Sequence, residues 1–148
     1  DFTSLKILLE KNEAKFQRDF NLSLVFAYNH FHIALNKKDL EYASKYLEEI
    51  KSIYQADTQK KRIAKVYNLD ILSGHLELSR NDLSKAHSRL NKVDKNTLNN
   101  RELSYYYALL AQYYRLKKSK DYLKYLSYIK EIYPAFNYQA ILGETHEK

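Results

Sequence analysis

Cysteine, methionine and tryptophan are absent from the 148 residues, glycine occurs twice and proline once. Without cysteine there is no disulfide framework and no thiolate metal site. So little glycine and proline excludes a fold rich in tight turns, such as a β-sandwich or barrel. No apolar run reaches the roughly 18–20 residues needed to cross a bilayer, and no signal peptide is visible. The chain begins at Asp1 without a methionine. It therefore reads as a processed product or an excised domain, with its compartment left open. There is no glycine-rich phosphate loop, no nucleophile elbow and no cysteine nucleophile.

What is abundant is Leu, Lys, Glu, Ala and Tyr, with 45% hydrophobic residues of which 15 are Tyr. Strong helix formers and few breakers predict helices joined by short polar turns. The length suits a single domain over 1–148 with a sizeable core. Net charge is +7 and the isoelectric point near 9.3. That balance fits acidic partners, nucleic acid or an anionic membrane, and fits better a lysine-rich protein with no such role.

Three segments repeat one pattern. Leu35, Asp39, Leu40, Ala43, Leu47 and Ile50 match Leu78, Asp82, Leu83, Ala86, Leu90 and Val93 without a gap, 43 residues apart. Leu116, Asp121, Tyr122, Tyr125, Ile129 and Ile132 match with one inserted residue. The apolar positions share one helical face, and each Asp stands where an N-cap is wanted. A second amphipathic helix precedes each copy. The predicted repeats span about 22–55, 59–94 and 99–133. Their first helices lie near 22–36, 59–79 and 99–117, their second near 39–55, 82–94 and 121–133. Asn99 and Glu102 are spaced as a capping box, and Pro134 ends the last second helix. Terminal helices are expected near 3–19 and 135–142, the latter closing at Gly143.

Helix pairs of this kind resemble the tetratricopeptide repeat family. The third copy carries the resemblance best, with Tyr107, Leu110, Ala111 and Tyr114 at the family's aromatic–Leu–small–Tyr spacing. The second offers Leu69, Leu72, Ser73 and Leu76, and the first Phe26, Asn29, His30 and Ile33. The spacing of 38–43 residues exceeds the family's usual 34. The resemblance implies an all-α, right-handed solenoid of about three helical hairpins with flanking terminal helices. It also implies a groove lined by the first helices, with Phe31, Tyr67, Asp70, Tyr105, Gln112 and Arg115 among its residues. The same aromatic residues could instead pack between helices.

Ten of the Tyr fall between Tyr105 and Tyr138. Three consecutive ones, Tyr105 to Tyr107, cannot share a helical face. Some therefore reach solvent, another chain or a neighbouring helix. The polar turns line up Lys37, Lys38, Arg80, Lys117, Lys118 and Lys120 as a candidate basic edge for phosphates or anionic head groups. Lys60, Lys61, Arg62 and Lys65 form a second cluster. His30 and His32 point about 200° apart on a helix, so they do not chelate together. No catalytic residue, metal or cofactor is expected. The expected function is a non-catalytic interaction module for a partner protein segment. A peptide-sensing domain of a larger protein, a nucleic-acid or membrane binder, and self-association stand beside it.

Overall fold

The computed structural model describes residues 13–56 and 67–143, with side chains from residue 19 onward. Every regular element among them is helical. They fall into two compact units, residues 1–67 and 68–148. Unit 1 holds α1 (Glu13–Asn36) and α2 (Leu40–Ala56). Unit 2 holds α3 (Leu69–Ser79), α4 (Leu83–Leu90), a 3-10 turn (Lys95–Thr97), α5 (Asn100–Leu116), α6 (Tyr122–Ile132) and α7 (Gln139–Leu142).

In unit 1, α1 packs on α2. Leu24, Ala27, Phe31 and Ala34 of α1 and Ala43, Leu47 and Ile50 of α2 are buried. In unit 2, α3 pairs with α4 and α5 with α6, while α5 also touches α3, α4 and α7. One core gathers Ile71, Leu78, Ala86, Leu90, Tyr106, Leu109 and Tyr113. A second gathers Ala108, Ala111, Ile129 and Leu142. Gly74 permits the close approach of α3 to α4, because a Cβ there would lie 2.7 Å from Leu90 Cδ2.

The three hairpin turns are built alike. Lys38, Asn81 and Lys118 each adopt positive φ, near 62°, 62° and 61°. Around them the same two bonds close the preceding helix. Lys38 and Asp39 amides donate to Leu35 and Ala34 carbonyls, Asn81 and Asp82 to Leu78 and Glu77, Lys118 and Ser119 to Arg115 and Tyr114. This is a Schellman ending, in which a left-handed residue satisfies the last carbonyls of a helix. Asp39 and Asp82 then cap the following helix, accepting from the Tyr42 and Lys85 amides at 3.3 and 3.1 Å.

Asp121 does not cap α6; its side chain makes no cap bond. Ser119 stands in the turn position of Asp39 and Asp82, and its hydroxyl accepts from the Asp121 amide at 3.1 Å. The third turn therefore carries two extra residues, one more than the sequence alignment allows.

Other boundaries shift for local reasons. Residues 13–36 form one helix, without the expected break near 20–21, since no glycine, proline or cap interrupts them. The remainder of the predicted 3–19 helix lies outside the described residues, as do 59–66 of the predicted 59–79 helix. That helix starts at Leu69, because Asn68 is extended and its side chain accepts from the Ile71 amide at 3.0 Å. The predicted 82–94 helix stops at Leu90, and Asp94 opens the 3-10 turn by accepting from the Asn96 amide. Of the predicted 135–142 helix only Gln139–Leu142 is helical, ended by Gly143 at φ 75°. The capping box on α5 forms as expected, with Asn99 and Glu102 bonding each other's amides.

Candidate functional site

The positive-φ residues fix a register for the three first helices. Counting back six residues from each gives His32, His75 and Gln112. Seven back gives Phe31, Gly74 and Ala111. Thirteen back from Asn81 and Lys118 gives Asn68 and Tyr105. The turns lie 43 and 37 residues apart, so the register differs by one from an alignment gapped after Leu116. That single residue moves the second copy's share of the face from Tyr67 and Asp70 to Asn68 and Ile71, and brings His75 onto it.

Tyr105, Gln112 and Arg115 share one face of α5, being seven and three residues apart. His75 comes beside them from α3, its Nδ1 2.7 Å from the Tyr105 hydroxyl, with ring centroids 5.6 Å apart. Gln112 is half-buried, and its Oε1 is enclosed with no hydrogen-bond donor on it. Arg115 is committed structurally, its guanidinium donating to the Leu142 carbonyl at the end of α7. His75 was missed from the sequence. The signal that would have found it is Ser119, which aligns with Asp82 at the same 37-residue offset that sets His75 against Gln112.

The other groove candidates are placed differently. Phe31 is fully buried in unit 1 and presents no surface. Tyr67 stacks on Tyr28 at 3.8 Å, nearly parallel. Its backbone is held by Tyr54, whose hydroxyl donates to the Tyr67 carbonyl at 3.2 Å and accepts from its amide at 2.9 Å. Burial raises the Tyr67 phenol pKa above its ordinary value. Asp70 sits half-buried in the first turn of α3, at the positive end of its dipole. His32 has its Nε2 buried and lies edge-on to Tyr28 and Phe31, and burial lowers its pKa to about 4.

The tyrosines of α5 and α6 interlock. Tyr114 and Tyr125 stack at 5.6 Å, and Tyr107 contacts Tyr106, Tyr125 and Tyr128. Tyr106 and Tyr113 are buried, while Tyr107, Tyr114 and Tyr125 are half-buried. Burial, reinforced by the neighbouring Tyr114, Tyr106 and Tyr128 phenols and by Asp121, pushes Tyr125 up to about 12. Most of the surplus Tyr is thus spent on packing between helices. Leu123 and Tyr128 form its exposed rim.

All six residues of the candidate basic edge are exposed. Arg80 pairs with Glu77 at 3.2 Å, and the Lys117 ammonium lies 5.9 Å from the Tyr113 ring centroid. Lys38 and Lys118 are the left-handed turn residues themselves. Lys37 and Lys38 belong to unit 1, the other four to unit 2. The cluster Lys60, Lys61, Arg62 and Lys65 lies outside the described residues. Among the described residues no three His, Asp or Glu side chains gather to hold a metal, and no helix is long and apolar enough to cross a membrane.

Fold and site together define an all-α protein of helical hairpins, with a polar, half-buried residue at one shared position of each first helix. No protein-family model, curated protein or solved structure matches the chain.

Proposed function

We propose that the chain is a tetratricopeptide-like helical-repeat module that holds a segment of another protein and performs no chemistry of its own. The observation that carries this reading is the register shared by the three hairpins. The same left-handed turn recurs at Lys38, Asn81 and Lys118, and a polar side chain recurs six residues before it. Solenoid proteins bind along faces lined by such repeated positions. On α5 that face offers an aromatic hydroxyl at Tyr105 and an unsatisfied amide oxygen at Gln112. Aromatic area binds at low entropic cost, and polar groups orient the bound chain.

The test is affinity capture from native extract, with the wild-type protein and a Tyr105→Ala variant. Arg115 is left intact because it holds the Leu142 carbonyl. A specific protein retained by the wild type and weakened about tenfold or more by the variant is expected. Unchanged far-UV circular dichroism guards against unfolding. Equal capture by both moves the site to the Leu123–Tyr128 rim, where Leu123→Glu then abolishes it. Retention of no specific protein sinks the reading.

A further inference from the structure

The open face of α1 carries an inference separate from the groove. From Phe20 through Asn36 the chain has no Asp, Glu, Lys or Arg, although these make up 29% of the whole. This stretch lies entirely within α1. Its inner face is buried through Leu24, Ala27, Phe31, Ala34 and Leu35. Its outer face presents Leu22 and Phe26, 61% and 55% exposed, with Val25 and Ile33 also exposed. Residues 22, 25, 26, 29 and 33 form one stripe at helical spacing. The stripe continues onto α2 through rings. Phe26 stacks on His30 at 4.0 Å, Tyr46 lies 5.3 Å from His30, and exposed Tyr42 lies 6.5 Å from Tyr46. A surface helix ordinarily turns a charged or polar face to water, whereas this stripe is apolar apart from Asn29.

We propose that a second copy of this chain covers the stripe, with the two α1 helices packed antiparallel about a twofold axis. The +7 net charge repels a second copy at long range, but this stretch of α1 carries no charge, so two copies meet there without opposing like charges. Asn29 favours this occupant. It is exposed and stands near the middle of the stripe, where an antiparallel pair places it close to its own twofold mate. Its amide both donates and accepts, so two Asn29 side chains satisfy each other, whereas an aliphatic helix would leave both groups unmet. The contact is isologous and closes at two subunits. The exposed side chains offer roughly 500 Å² per copy, so the pair buries roughly 1,000 Å², at the lower edge of specific interfaces. The dimer is therefore weak and reversible.

Sedimentation velocity of the full chain, from about 1 to about 200 μM, tests it. The wild type is expected to shift from monomer to dimer across a range near the micromolar scale. Phe26→Glu and Asn29→Asp should each weaken the dimer about tenfold or more by setting like charges against each other. Both positions are exposed, so circular dichroism and melting temperature stay close to wild type. Tyr128→Glu, in unit 2, should leave the dimer unchanged. A wild type that stays monomeric throughout overturns the proposal. So does a dimer that survives Phe26→Glu, or one that Tyr128→Glu abolishes, which would assign self-association to the Tyr-rich rim.

Discussion

Both α1 and α5 open a helical hairpin and end in a left-handed lysine turn, Lys38 and Lys118, yet they differ in what surrounds them. Four helices touch α5, which buries Ser104, Tyr106, Ala108, Leu109, Leu110, Ala111 and Tyr113. On α1, Leu22, Val25, Phe26 and Ile33 are left exposed. The side chains follow that difference. Tyrosine serves α5 because a ring can be half-buried while its hydroxyl finds water or a partner such as His75. The outer side chains of α1 are mostly aliphatic and have no polar end to hand to water. A hairpin plan fixes one buried face; whether the others are buried depends on neighbours.

The largest expected contrast comes from truncating one leucine on each helix. Leu109→Ala, at a fully buried site of α5, should cost about 2–5 kcal/mol. Leu22→Ala on exposed α1 should stay within about 0.5 kcal/mol. Thermal and urea unfolding check both, and equal losses would break the distinction between the helices.

Acid should then act on unit 1 through α1. Burial holds His32 neutral, with its pKa lowered from 6.5 to about 4. The unfolded chain takes up that proton near pH 6.5, while the folded chain resists until about pH 4. The stabilisation from His32 is thus complete above pH 6.5 and lost as pH falls through 4, to an extent on the order of 3 kcal/mol. Unfolding followed between pH 7 and 4 should show this slope in the wild type. His32→Gln should flatten it, whatever its stability at neutral pH, and an unchanged slope would assign the acid sensitivity elsewhere.

The smallest effect concerns the turns. A left-handed conformation costs a residue with a Cβ roughly 1 kcal/mol, and less for asparagine. Lys38→Gly and Lys118→Gly should therefore raise stability by up to about 1 kcal/mol, and Asn81→Gly by less. Destabilisation by either lysine replacement would show that the side chain, not the backbone, matters there.

Much of the helical plan was legible because its signals are local. Asp39, Asp82 and the Asn99–Glu102 box cap the helices that follow them. Pro134 and Gly143 stop helices where their geometry requires. Asp121 misled, since a Ser–x–Asp turn and an Asp cap look alike at the same distance from an apolar run. The candidate site was half legible. That Tyr105 and Gln112 share a face of α5 was readable from their spacing, whereas His75 was displaced by the one-residue gap, and the burial of Phe31 and the Leu142 bond of Arg115 were invisible.

By itself the sequence determined an all-helical chain with repeated hairpins, because helix propensity, capping and apolar period act within a few residues. Only the tertiary structure decided that Ser119 is the true counterpart of Asp39, that His75 meets Tyr105, and that Arg115 closes on the Leu142 carbonyl. Those contacts join side chains on different helices or depend on how many residues a turn consumes. Packing alone sets such distances, and no local pattern encodes them.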